Sequence, residues 1–365
     1  MKNKKHIVFV LTSLRIGGLE LYLLRFLESI LKDKKNYSFT ILARNKSSAP
    51  ELKKKFTDLG INIVEKDLSF YSVKSNFQIY RFLKQGNFST ICDFSGHLSG
   101  PVIFAGYFAG IRNRITSYRE SEPQYKPSIL KSIFRFMSLA LIERFSTKII
   151  SNSLTALKNF HSWKNSKDRY LVIPNGIKQM SKVGIDEIEQ FKKKYKIPSN
   201  YFLVGHVGSF KPAKNHQTII KTIKSINELN LKVFFILCGS GTQEAIANKS
   251  LKNLICIDSL SEIAILYQSL DLFYFPSINE GQPNALLEAM SMDLNFIASD
   301  IPSIKECIPH FAHEKLFNAT DYEQHVSAIK ASEEGKQESI KNLSSFAMKK
   351  FNAKKNYDLF FDILK

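Results

Sequence analysis

Short apolar runs rich in β-branched and aromatic residues alternate along this chain with longer stretches whose apolar positions recur at helical spacing. The runs predict strands at 6–12 (HIVFVLT), 38–43 (SFTILA), 61–65 (INIVE), 88–94 (FSTICDF), 114–117 (RITS) and 147–151 (TKIIS). Strands interleaved with helices predict βα units and therefore parallel sheets. At 170–177, YLVIPNGI joins a strand to a Pro-Asn-Gly turn, and the lysine-rich, weakly apolar stretch after it reads as a linker.

The pattern then restarts, with strands predicted in 201–210 (YFLVGHVGSF), 232–241 (KVFFILCGSG), 254–258 (LICID), 272–276 (LFYFP) and 295–299 (NFIAS). Both halves open alike: an apolar strand, a glycine-bearing loop, then a helix. The expected architecture is α/β, with two doubly wound parallel-sheet domains at 1–173 and 174–345. Such domains hold ligands at the carboxyl ends of their strands, so a shared ligand is expected in a central cleft that both face. The C-terminal segment, 346–365, has Tyr357, Leu359, Phe360, Ile363 and Leu364 at helical spacing and reads as one packing helix, directed back toward the first domain.

Length supports the division, since 365 residues exceed one ordinary core. Hydrophobic residues make up 44% and charged residues 23%, without low-complexity tracts, which argues against extended disorder. Cys92, Cys238, Cys256 and Cys307 lie far apart, mostly in apolar runs, and read as buried thiols of a reducing compartment. Arg15 cuts short the first apolar run, no cleavage site follows it, and no run is long enough to span a bilayer. A cytoplasmic protein, or one peripheral on the inner face of the cytoplasmic membrane, is expected. The net charge of +19 favours anionic partners. No nucleic-acid-binding signature is visible, so nucleic acid is not the expected partner.

The richest chemistry lies in NEGQPNALLEAM, 279–290. Pro283 suits a helix start, which leaves Glu280 in the loop at a strand's carboxyl end and Glu288 inside the helix. Eight helical residues turn about 80°, too far for a shared-proton dyad, so the two carboxylates read as separate polar anchors. Free N–H groups around Gly281, Gln282 and Asn284 can receive a phosphate or hydroxyls. In HVGSFKPAKNH, Lys214 follows a glycine loop and can neutralise a diphosphate leaving group without a metal. Gly17 and Gly18, in IGGLE, let backbone approach a ligand closely. Gly239 and Gly241 imitate a dinucleotide fingerprint, but Glu244 stands where the third glycine belongs. His97, Arg119 and Glu120 lie at strand ends of the first half, on the expected acceptor side. The 126–148 segment carries apolar residues at helical spacing among lysines and arginines, fitting either a core helix or one lying on anionic lipid.

The segment FYFPSINEGQPNALLEAMSMDLNFIASD resembles the E-x7-E region of retaining glycosyltransferases of family 4. The IGGLE loop, the IPNGI junction, HVGSFKPAKNH and the ILCGSG turn resemble that family in the same order, across nearly the whole chain. The resemblance implies the GT-B fold and metal-independent transfer of a sugar from a nucleotide donor, expected to be a UDP-sugar. It implies a saccharide acceptor, undecaprenyl-diphosphate-linked carriers included, in surface polysaccharide synthesis, with no cofactor. By resemblance Glu280 holds donor-sugar hydroxyls, Glu288 the ribose, Lys214 the diphosphate, and Gly239 to Gly241 the nucleobase edge. Ser209 stands where the family usually has arginine, so one expected cation is missing: either Lys211 substitutes or the donor is held differently. A sugar-nucleotide epimerase of the same fold and a basic nucleic-acid-binding protein are the alternative readings.

Overall fold

In β1 (Lys5–Leu11) successive side chains point to opposite faces, and that alternation organises the first of two units. The computed structural model describes residues 4–119, 128–161, 168–247, 251–260, 262–336 and 340–365. Unit 1 comprises 1–176 and 353–365, and unit 2 comprises 177–352.

Unit 1 continues through α1 (Gly18–Ile30), β2 (Tyr37–Ala43), α2 (Pro50–Asp58), β3 (Asn62–Glu65), α3 (Val73–Gln85), β4 (Thr90–Asp93) and α4 (Gly100–Phe108). It then runs through β5 (Asn113–Tyr118), α5 (Ile129–Phe145), β6 (Lys148–Ser151), α6 (Leu154–Phe160) and β7 (Tyr170–Val172). Its strands form a seven-stranded sheet in the order β3-β2-β1-β4-β5-β6-β7. Every pairing is parallel, with Phe9 opposite Ile41 on one side and Cys92 on the other. Phe9 and Leu11 pack with Phe26 of α1 and Phe56 of α2, while Val8 and Val10 pack with Ile79 and Leu83 of α3 and Val102 of α4. Helices α3 and α4 thus cover the opposite face of the sheet from α1 and α2.

Unit 2 contains α7 (Ile185–Lys194), β8 (Phe202–Val207), α8 (His216–Glu228), β9 (Val233–Cys238), α9 (Thr242–Ile246), β10 (Leu254–Ile257) and α10 (Ile263–Ser269). After these come β11 (Leu272–Phe275), α11 (Asn284–Ser291), β12 (Phe296–Ser299), α12 (Pro302–Lys305), β13 (Leu316–Phe317), α13 (Tyr322–Glu333) and α14 (Leu343–Lys350). Its six-stranded sheet has the order β10-β9-β8-β11-β12-β13, again with parallel pairings.

Two expectations are corrected. The stretch read as a linker contains α7. Glu187 accepts the Gly184 N–H at 3.1 Å and Lys192 to Lys194 lie in the last turn, so local charges hold a helix in which Phe191 is the buried residue. The single C-terminal helix is two. Leu343 and Ala347 of α14 pack into unit 2, whereas Tyr357, Phe360, Phe361 and Leu364 of α15 (Ala353–Leu364) pack into unit 1. The break falls at Phe351, whose carbonyl accepts the Ile177 N–H at 2.8 Å. Gly176 permits it, because a Cβ there would lie 2.5 Å from Ala353 Cα. Thr90 and Asn113 then bind the carbonyls of Leu364 and Ile363 at 2.9 and 2.8 Å, fixing the far end of α15.

The four cysteines are free thiols, with Cys256 half-buried and the others buried. Among the described residues, no helix is long and apolar enough to cross a membrane. Phe360 is fully buried, its ring 4.7 Å from Phe26, 6.0 Å from Tyr22 and 6.2 Å from Phe94. Phe360→Ala is expected to destabilise the protein by about 3–5 kcal/mol, measured by denaturant unfolding, because a ring-sized cavity opens among residues that cannot collapse into it.

Candidate active site

The order of the second sheet reverses between β8 and β11: β9 and β10 lie to one side, β12 and β13 to the other. Loops leaving such a pair diverge to opposite faces and open a crevice at the carboxyl ends of the strands. The loop after β8 carries Gly208, Ser209 and a 3-10 turn, Pro212–Lys214; the loop after β11 carries Glu280 and ends in α11.

Asn215 joins the two. Its backbone is left-handed (φ 57°), a conformation asparagine tolerates, and its Nδ2 donates to the carbonyls of Pro276 at 3.1 Å and Ala319 at 2.7 Å. The Ile278 N–H donates to Ala213 O at 2.9 Å. So fixed, Lys214 Nζ donates to Glu280 Oε1 at 2.6 Å, with the side chains 20% and 11% exposed. The ammonium also lies 4.8 Å from the centre of the Phe275 ring, whose face favours a cation.

Glycine turns form the next wall. A Cβ on Gly239 would sit 2.1 Å from Gly208 O, so only glycine lets these backbones touch. The Gly208 N–H donates to Cys238 O at 2.8 Å and the Phe210 N–H to Ser240 O at 2.9 Å. Gly241 takes φ 78° immediately before α9. Ser209 is half-buried between these contacts, while the Lys211 side chain is exposed. Gly281 and Gln282 are buried, Asn284 begins α11, and Glu288 follows one turn later, accepting a hydrogen bond from Tyr267 at 3.1 Å. The second unit therefore gathers Lys214, Glu280, Ser209, Gly239, Gly241, Gly281, Gln282, Asn284 and Glu288 into loops and helices that follow the carboxyl ends of β8, β9 and β11.

Sequence reasoning passed over the floor beneath Lys214. His206 is fully buried, its Nδ1 3.0 Å from Tyr274 O and its ring stacked on Phe275. His216 lies 5.2 Å from His206 and 4.7 Å from Phe210. Burial pushes His206 well below its ordinary range, helped by His216 and Lys214; burial and then Lys214 push His216 down to about 4. Both are neutral at pH 7, so the lysine charge rests on uncharged aromatic groups. The flanking histidines of HVGSFKPAKNH were the available signal. Tyr267, which positions Glu288, stands in no recognisable motif.

In unit 1, Gly17 has extended backbone before α1 and Gly18 is exposed with open space around it; the Leu21 N–H donates to Gly17 O at 3.1 Å. His97 stacks on Phe160 at 5.6 Å, and burial followed by the Arg135 charge lowers it to about 4. Arg119 is held on the Tyr22 ring at 4.1 Å, with Nη1 donating to Asn175 Oδ1 and Nε donating to Ser117 Oγ at 3.2 Å. Its guanidinium is thus committed to the wall of unit 1. Glu120 lies outside the described residues.

Residues 187–350 match the family described as glycosyl transferases group 1. Among solved structures, HepE of Anabaena in complex with UDP-glucose superposes with a TM-score of 0.81 over 98% of this chain and 99% of that one, at 17% identity. The fold is GT-B. CapH of Staphylococcus aureus, named a capsular polysaccharide biosynthesis glycosyltransferase, is 27% identical over 84% of each chain. The O-antigen chain mannosyltransferase RfbU of Salmonella typhimurium is 28% identical over 68% of this chain and 66% of its own. These likenesses support a glycosyltransferase.

The buried histidine carries a pH signature. Unfolded, a histidine takes up its proton near 6.5, but folded His216 does so near 4. Its contribution to stability is whole above about pH 6.5 and is lost as pH falls toward 4. The melting temperature is expected to drop on acidification from pH 7 to 4.5, and to drop less steeply in His216→Gln, followed by circular dichroism.

Proposed function

We propose that this protein is a retaining, metal-independent glycosyltransferase that moves a sugar from a nucleotide-sugar donor, a UDP-sugar, to a saccharide acceptor. The observation that carries this reading is the Lys214–Glu280 pair at the sheet's reversal point, beside the start of α11 and the glycine turns. The donor's diphosphate draws the Lys214 ammonium toward itself, and the Glu280 carboxylate accepts hydrogen bonds from hydroxyls of the sugar. N–H groups at the start of α11 meet the phosphate, and Glu288, steadied by Tyr267, accepts ribose hydroxyls. UDP-glucose in the complex with HepE, a protein of the same fold, supports the choice of nucleotide.

As the glycosidic bond to phosphate lengthens, negative charge grows on the leaving oxygen, where Lys214 and the helix start stabilise it. The acceptor hydroxyl approaches from the same face and gives its proton to the departing phosphate. No paired acid and base is needed, which suits two carboxylates with different partners. Names of the curated relatives favour capsule or O-antigen assembly as the setting, and the acceptor in this reading is a saccharide, free or lipid-linked.

Lys214→Met and Glu280→Gln conserve volume in a pair that is mostly buried. Each is expected to slow transfer by on the order of 10²- to 10³-fold while leaving the circular dichroism spectrum unchanged. The assay is nucleotide release from a panel of UDP- and GDP-sugars with saccharide acceptors, with and without EDTA. Wild-type turnover in either variant would reject these roles, loss of activity with EDTA would reject metal independence, and a converted sugar without acceptor would identify an epimerase.

A further inference from the structure

Helices α3, α4 and α5 lie side by side: α4 packs against both neighbours and against β4 and β5. Their outward faces are unusually apolar. On α5, Ile129 is 81% exposed, Leu130 79% and Phe136 76%, and Ile133 and Met137 are also more than half exposed. At 100° per residue these five occupy a stripe about 120° wide, the arc an amphipathic helix normally buries. Here Ser138 and Ile142 are the residues of α5 that reach the interior. Tyr71, just before α3, meets Phe134 of α5 at 4.7 Å, and exposed Val73 and Phe77 follow on the same side of α3. Phe104 and Tyr107 of α4 touch Phe145 at 5.1 and 5.0 Å, with Phe108 exposed beside them.

Charge on this layer has one sign. The three helices carry Lys74, Arg81, Lys84, Lys131 and Arg144, together with Arg135, whose guanidinium lies over the Phe160 ring at 5.6 Å, and Glu143 is the one acid in their sequences. That carboxylate is engaged by His161 and Tyr170, each at 2.5 Å. Phe77 and Arg81 are four residues apart, so a large apolar side chain and a cation share the outer surface of α3.

We propose that the outer face of α3, α4 and α5 docks on an anionic lipid bilayer, with the apolar stripe of α5 entering the headgroup boundary and the lysines and arginines meeting lipid phosphates. The chemistry discriminates among occupants. Nucleic acid would meet the cations but gain little from exposed isoleucine, leucine and methionine. A second copy of a chain of net charge +19 would bring like charge against like. Apolar anchors ringed by long cationic side chains suit a negatively charged membrane surface, which both terms attract. This inference does not rest on glycosyl transfer, and its test reads lipid alone.

Purified protein is sedimented with vesicles of phosphatidylcholine containing 30% phosphatidylglycerol, and with vesicles of phosphatidylcholine alone. The expected result is partition onto the anionic vesicles at low salt, weakened at 1 M salt, where screening shortens to about 3 Å. Ile133→Ser/Phe136→Ser should lower it on the order of tenfold, while Phe311→Ser, an exposed aromatic change in unit 2, should not. Absence of wild-type binding, equal binding to neutral vesicles, equal loss in the Phe311→Ser control, or a double variant that changes only the oligomeric state would each overturn the proposal.

Discussion

Lys214 and Glu280 meet at 2.6 Å where the second sheet reverses direction, and the rest of the candidate site is arranged around that contact. The two residues are far apart in sequence and come together because β8 and β11 are neighbours and Asn215 ties their loops. With both side chains largely shielded, their attraction exceeds that of a surface pair, and losing one partner strands the other charge. An entering anion must therefore offer Lys214 at least what Glu280 does. A diphosphate carries two charged centres, which is why the proposed donor suits that condition.

Neutral surroundings preserve the contrast. His206 and His216 hold no charge at pH 7, and Phe275 presents a ring face, so the cation projects from an uncharged floor. Unit 1 sets a half-buried and a buried cation against aromatic rings. Arg119 rests on Tyr22, and Arg44 lies 3.8 Å from the centre of Phe70 with Nε donating to Leu68 O at 3.3 Å. Aromatic faces share in holding these charges, with the Asp93 carboxyl also acting on Arg44. Arg119 thereby helps lock α15 into unit 1, since Phe360 closes the same aromatic cluster at 6.0 Å.

The basic surplus is also distributed with purpose. On α7 the lysines of the last turn complement the helix dipole, whereas on α3 and α5 they stand among exposed isoleucine, leucine and phenylalanine with almost no opposing acid. The same residue type thus stabilises a helix end in one place and colours a surface in another. Its neighbours decide which.

The sequence alone determined the alternation of strands and helices, because buried parallel strands need continuous apolar runs, and it determined the residues of the chemical loops, because close backbone approach needs glycine. It marked Glu280 and Lys214 as loop residues and expected a helix with Pro283 in its first turn, where the structure begins α11 at Asn284 with Pro283 as its cap. Helix α7 escaped because its few apolar positions, Ile185, Ile188 and Phe191, stand among charges and bury only Phe191; β13 escaped because two residues carry no periodicity. Only the tertiary structure decided that one C-terminal pattern is two helices in different units, since that break depends on Gly176 meeting Ala353. Only it assigned neutrality to His206 and His216, and Tyr267 to Glu288. Burial and long-range partnership arise from packing between distant segments, which no local pattern encodes.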